Sequence, residues 1–322
     1  MMTQAPSRTH SLAYHAFSDE AAVMQLRCQL LAWYDANKRA LPWRRAPSEW
    51  ADADEHAYHT WVSEVMSQQT RVGTAAPYYT TWTTKWPTVA ALADASLADV
   101  HAVWSGLGYY SRATRMLEAA KLIVHSHGGR FPRDAATLHS DIPGIGPYTA
   151  GAVASIAFNA HAPVVDGNVV RVLSRLRALG CDPKSKAASE LHWSLAGRLL
   201  DVGRPGDFNQ AVMEFGATVC TPQNPSCKGC PIKMHCRAHE EFFGVKEEKD
   251  AKEVSEQEER VERKKCAQCL PDIEDCVPPF PVTRYPAMVK KKAADEKSRC
   301  LFSISFLYDI YLSPSSRDCT HH

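Results

Sequence analysis

Four cysteines, Cys220, Cys227, Cys230 and Cys236, stand in the spacing C-x6-C-x2-C-x5-C and constrain this chain more than any other feature. If each thiol takes one iron of a single cluster, all four must converge within a few ångströms, on short and tightly turned loops. Pro222, Pro225, Gly229 and Pro231 supply turn residues between them. The spacing reads as a 4Fe-4S site that closes a domain. Zinc competes for four thiolates, but structural zinc sites usually pair two C-x2-C knuckles, and only Cys227 and Cys230 form one. A disulfide framework competes too, yet 11 cysteines in 322 residues are not disulfide-dense, and the opening residues carry no apolar h-region.

The apolar content, 45%, is enough for a real core, and the length allows one large domain or two modest ones. The net charge of +1 neither supports nor excludes a nucleic-acid partner. The longest apolar-rich run, residues 151–165, is broken by Asn159 and His161 and is too short to span a bilayer, so a soluble protein is expected. Residues 1–20 are polar and aperiodic and are expected to be a disordered lead-in. Residues 21–240 carry apolar side chains three and four apart, in segments such as 21–37, 61–69, 96–103, 112–125 and 191–200, and predict an all-α domain. Residues 241–298 form a connector, mixed in charge over 240–265 and then extended around Pro278, Pro279, Pro281 and Pro286. Residues 301–312 alternate and read as one strand, which cannot fold alone.

Asp141-Ile142-Pro143-Gly144-Ile145-Gly146-Pro147 is a glycine-bearing turn that runs into a helix of small residues. Such a turn offers backbone N–H groups at a helix N-terminus, where an anion such as a DNA phosphate is favoured; an αα-hairpin whose glycines serve packing alone is the other reading.

The hairpin, the run Val165-Asp166-Gly167-Asn168-Val169 and the cysteine spacing together resemble the helix-hairpin-helix base-excision DNA glycosylases of the endonuclease III superfamily, over roughly residues 25–240. Leu41-Pro42-Trp43-Arg44, the run Trp61 to Thr70 and Trp104-Ser105-Gly106-Leu107-Gly108-Tyr109-Tyr110 resemble the MutY adenine DNA glycosylases within it. The resemblance implies removal of adenine from double-stranded DNA where it stands opposite 8-oxoguanine or guanine. It also implies a monomer in the nucleus or mitochondrion, with repair and replication factors recruited through the connector.

Breaking an N-glycosidic bond calls for a proton on the leaving base and negative charge beside the sugar, hence two carboxyls in opposed states. Glu64, on a segment flanked by Trp61, Val62, Val65 and Met66, can hold its proton near neutral pH, and the resemblance makes it the general acid. Asp166 precedes a helical run whose N-terminus favours its ionised form; the resemblance gives it the sugar cation to stabilise or capture, with Asn168 holding the site. An exposed glutamate and ordinary helix caps are the plain alternatives. Tyr148 stands where bifunctional relatives carry a lysine; tyrosine cannot form an imine, so a monofunctional enzyme is expected.

The resemblance also points to Gln69, Leu107 and Tyr109 as wedges into the duplex, to Trp43 and Arg44 as pocket lining, and to Pro143, Gly144 and Gly146 as the phosphate-binding turn. Cys266, Cys269 and Cys276 resemble a connector zinc site, with His56 or His59 as a further ligand. Relatives carry a C-terminal Nudix-like domain that reads 8-oxoguanine. This chain is expected to hold only its start, residues 299–322, and so to prefer 8-oxoguanine over guanine more weakly. A glycosylase acting on another mispaired or damaged base, and a non-catalytic iron-sulfur DNA-binding module, are the competing functions.

Overall fold

A computed structural model describes residues 12–243 and 281–287. By internal contacts residues 1–287 form one unit; residues 288–322 form another, outside the described residues. The strand expected over 301–312 and the connector cysteines Cys266, Cys269 and Cys276 therefore lie outside them too.

Among the described residues the regular structure is helical. In chain order the α-helices are α1 (Glu20–Asn37), α2 (Ala53–Ser67), α3 (Val72–Lys85), α4 (Val89–Ala93), α5 (Leu97–Trp104), α6 (Ser111–His127), α7 (Ala135–Asp141), α8 (Pro147–Phe158), α9 (Gly167–Leu176), α10 (Lys186–Leu199), α11 (Pro205–Thr218) and α12 (Arg237–Phe243). Short polar side chains begin many of them by accepting from the unpaired first-turn N–H groups: Asp19 for α1, Asp52 for α2, Ser96 for α5, Asp134 for α7 and Asp166 for α9. The helix expected to start at Trp61 in fact starts at Ala53, because Asp52 caps it and Ala57, Tyr58 and His59 already face inward.

Two apolar cores result. One gathers α2 to α8 around the buried indoles of Trp61, Trp82 and Trp104; the other gathers α1, α9, α10 and α11 around Leu26, Leu30, Leu173 and Phe215. Helix α8 is the hinge between them, packing along α2 and α7 on one side and α11 on the other. Its run of small residues, Thr149 to Ser155, is buried throughout, so helix axes can approach on every side.

Two expected boundaries differ from the observed ones. From Leu12 onward the lead-in is ordered: Leu12–His15 is a 3-10 turn, the buried His15 ring meets the Arg177 carbonyl through Nδ1 at 2.8 Å, and Phe17 packs under the Arg177 guanidinium. The connector also returns to the helical body at Pro281–Arg284, where Val282 and Tyr285 are buried against Ala178 and Ala238. Isolated anchors of this kind leave no periodicity in a sequence.

Arg175, 2% exposed, ties these pieces together. Nε donates to the Tyr285 carbonyl at 3.2 Å, Nη1 to those of Cys220 and Thr221 at 3.2 and 2.7 Å, and Nη2 to that of Pro222 at 2.9 Å. Removing the guanidinium strands the Thr221 and Pro222 carbonyls, at about 1–3 kcal/mol for each one left buried and unpaired, while Arg171 still holds that of Cys220. Arg175→Met is expected to lower Tm by several degrees in thermal melts followed by circular dichroism, with Arg175→Lys recovering only part.

Candidate active site

Glu64, Tyr148 and Asp166 come together at one open cavity of about 570 Å³, lined also by Ser67, Gln68, Gln69, Tyr109, Ser111, Arg112 and Val165. Glu64 projects from the last turn of α2, Tyr148 from the first turn of α8 and Asp166 from the cap of α9. The site thus lies where the two cores meet.

The Tyr148 hydroxyl donates to Glu64 Oε2 at 2.6 Å and lies 3.4 Å from Met213 Sδ. Burial pushes the Glu64 carboxyl above its ordinary value, and the negative charge of Asp166 pushes the same way; the Tyr148 hydrogen bond and the Arg44 charge pull back. Burial first, and then Glu64, hold the Tyr148 phenol well above its ordinary value, so it stays a neutral donor. Asp166 Oδ1 accepts from the Val169 N–H at 2.7 Å, the capping bond, while Oδ2 accepts from Asn168 Nδ2 at 2.7 Å. Cap and cavity wall are therefore the same side chain.

A chain of contacts runs from Asp166 to the cysteine loop. Arg171 Nη2 donates to Asn168 Oδ1 at 2.8 Å and to the Gly216 carbonyl at 2.7 Å, and Nε donates to the Cys220 carbonyl at 2.8 Å. The approach of α11 to α9 requires glycine at 216, where a Cβ would sit 2.7 Å from Asn168 Cβ.

Cys220, Cys227, Cys230 and Cys236 ring a second cavity whose other walls include Val172, Leu176, Phe215, Ile232 and Val282. Among the described residues no three His, Cys, Asp or Glu side chains gather as the ligands of a single ion. The four thiols are free, and Arg175 Nη1 donates to Cys220 Sγ at 3.3 Å. Burial raises the Cys230 and Cys236 thiols to about 12, with neighbouring cysteines adding to it. Such thiols ionise only against a strongly bound cation, and an apolar cavity ringed by four of them suits a cubane group.

The hairpin joins α7 to α8 through residues 142–146, with Pro147 opening α8. Gly144 has φ +81° and needs glycine; Gly146 has φ −84° and open space at its Cβ position, so its backbone makes no such demand. Pro143 and Gly144 are exposed at the tip, while Ile142 and Ile145 anchor the turn in the first core.

Other expected residues fall elsewhere. Leu107 is buried in the first core, its N–H turned back onto the Trp104 carbonyl at 3.0 Å, whereas Tyr109 is 63% exposed on the cavity rim beside Gln69. Trp43 and Arg44 do not line the cavity: Trp43 packs edge-to-face on Tyr79, and Arg44 Nη2 pairs with Glu214 Oε2 at 2.9 Å. His59 meets Tyr79 Oη at 2.6 Å, with its pKa lowered by burial to about 4, and His56 stacks on Trp50; both belong to the packing of α2. Glu214 was not expected. Its buried carboxylate receives Arg39 and Arg44 and is lowered to about 2, the two guanidinium groups outweighing the cost of burial. An acid in the apolar stretch Ala211, Val212, Phe215 was the available signal. Arg112 and Arg171 act through carbonyls and left none.

Helices and hairpin packed as two helical cores form a helix-hairpin-helix DNA glycosylase fold, and residues 62–197 match the family described as "HhH-GPD superfamily base excision DNA repair protein". It is similar to adenine DNA glycosylases: to that of Rattus norvegicus at 49% identity over 284 residues, 88% of this chain and 55% of the relative, and to that of Homo sapiens at 48% over 293 residues, 89% and 53%. The chain thus spans about half the length of the curated relatives it matches. A solved thermostable thymine-DNA glycosylase superposes with TM-score 0.59 at 26% identity, covering 69% of this chain and 98% of that one.

Because the folded state holds Glu64 above its ordinary 4.5, an ionised Glu64 costs stability. That cost is absent below the unfolded pKa and fully present above the raised one. Glu64→Gln is expected to raise Tm at neutral pH, and the gain should vanish as pH falls below about 4.5 in melts of both proteins.

Proposed function

We propose that this chain is a monofunctional adenine DNA glycosylase that hydrolyses the N-glycosidic bond of adenine mispaired with 8-oxoguanine or guanine in double-stranded DNA. The observation that carries this is the 2.6 Å hydrogen bond between Tyr148 and Glu64 in a cavity shared with Asp166. It sets a carboxyl biased toward its protonated form beside a carboxylate anchored on a helix N-terminus, with a phenol where an imine-forming amine would otherwise stand. Similarity to the adenine DNA glycosylases supports adenine as the base.

With the base turned out into the cavity, the Glu64 proton passes to a ring nitrogen of adenine. The C1′–N9 bond breaks, and its electron pair leaves with the base. The resulting oxocarbenium charge on the sugar is matched by the Asp166 carboxylate, which Asn168 and the Val169 N–H hold facing the cavity. Water adds its oxygen to C1′ and gives a proton to the carboxylate left on Glu64, which restores the acid. Tyr148 keeps Glu64 directed by its hydroxyl throughout. Among the described residues that line the cavity none is a lysine, and the product expected is an abasic site in an intact strand.

Cys220, Cys227, Cys230 and Cys236 would hold a 4Fe-4S cluster as one thiolate ligand each. When bound, it supplies four metal–thiolate bonds that fix the loop 220–236. This chain's Arg171 carries that fixed position to Asn168 through the Cys220 carbonyl. Pro143, Gly144 and Gly146 offer the backbone turn and the α8 N-terminus to a phosphate of the same duplex.

A duplex with one adenine opposite 8-oxoguanine tests the proposal. Free adenine and a strand that breaks only on heating in alkali are expected, with no covalent complex trapped by borohydride. Glu64→Gln should lower release by roughly 10²–10⁴-fold and leave duplex binding intact. Release of thymine instead, strand cleavage without alkali, or full activity in Glu64→Gln would each refute it.

A further inference from the structure

We infer that Arg112 is a positioning residue that holds Gln69 and Tyr109, on two separate segments, in left-handed backbone, so that both side chains stand on the cavity rim as one unit that unstacks the target base. This rests on the glycosylase reading above. The Arg112 guanidinium enters from the first turn of α6. Nη1 donates to the carbonyls of Val65, Met66 and Gln68 at 2.8, 3.2 and 2.7 Å, and Nη2 to those of Leu107 and Gly108 at 3.4 and 3.2 Å. Its plane also lies against the rings of Trp104 and Tyr109, 5.1 and 5.7 Å from their centroids. Nε is buried without a partner, so the two terminal nitrogens alone make the hydrogen bonds.

The position of these carbonyls decides the reading. Gln69 has φ +54° and Tyr109 φ +50°, a region that side chains with a Cβ leave unless held there. Arg112 grips the carbonyl directly before each: Gln68 on one segment, Gly108 on the other. The first segment is the C-terminus of α2, whose last carbonyls lack helical partners, and the second follows α5. One rigid fork thus caps the helix that bears Glu64 and fastens the loop that bears Tyr109 to it. Both held side chains are exposed beside Glu64 and Asp166: an amide that can hydrogen-bond and a phenol ring that can stack between bases. Lysine, a single point donor, cannot reach both segments.

Full-length Arg112→Lys is compared with the parent chain on two duplexes in single-turnover excision. One presents adenine opposite 8-oxoguanine; in the other the opposing nucleotide lacks its base, so adenine is unpaired and costs less to turn out of the duplex. Excision from the paired duplex is expected to fall about 10²-fold, the size of loss that small misplacements cause, and excision from the second duplex far less. In a Gln69→Ala/Tyr109→Ala background Arg112→Lys should add little. Equal losses on both duplexes, a loss that adds in full to the double variant, or no loss at all would overturn the inference. Thermal melts and the visible absorbance of the loaded protein separate this from general unfolding. If Arg112→Lys melts early, Tyr109→Gly with Arg112 intact must show the same difference between duplexes, and its absence overturns the inference equally. Should the parent chain release no base, the glycosylase reading falls by itself. A fluorescent adenine analogue at the target position then still decides: brightening on binding by the parent and not by Arg112→Lys upholds the clamp, and the same response in both overturns it.

Discussion

The structure turns on a buried carboxyl facing a second carboxyl across one cavity. Glu64 gains nothing from this placement as a stabilising group, since burial and the charge of Asp166 both work against its ionisation. What the placement does is bias the Glu64 carboxyl toward its protonated form in the wall of a cavity that it shares with Asp166. Tyr148 supplies the direction, because a phenol held far above its ordinary pKa can donate but cannot compete for the charge.

The two carboxyls belong to different cores, and this explains the weight of bonding at their seam. Glu64 rides on α2 in the first core, and Asp166 caps α9 in the second. Their separation is kept by α8 between the cores and by guanidinium groups that bond backbone rather than carboxylates: Arg112 on the α2 side, Arg171 and Arg175 on the α9 side. Guanidinium suits this work because one planar group satisfies several carbonyls at once. The cysteine loop then acts as a brace behind α9, and the returning segment 281–287 closes over it with Val282 and Tyr285.

The helical class, the hairpin and the convergence of the four thiols were legible because each has a local signature: period, glycine placement, spacing. Asp166 was legible as a helix cap, and the oxygen left over from the capping bond accepts from Asn168 at the cavity. What could not be read is non-local. Trp43 and Arg44 sit in a distinctive motif, yet their partners, Tyr79 and Glu214, lie far along the chain and draw them away from the cavity. Leu107 and Tyr109 are two residues apart, and only the tertiary packing of Trp104 sends one inward and the other out. The order of residues 12–20 rests on single anchors such as Phe17, which no window average detects.

The state of Glu64 is the central claim, and the pH dependence of single-turnover excision tests it most directly. A required proton on a carboxyl of raised pKa predicts a rate that is level on the acid side and falls as pH rises through that value, above the ordinary 4.5, with the falling limb absent from the residual activity of Glu64→Gln. A rate that climbs with pH over the same range, or a falling limb that survives the substitution, would contradict it.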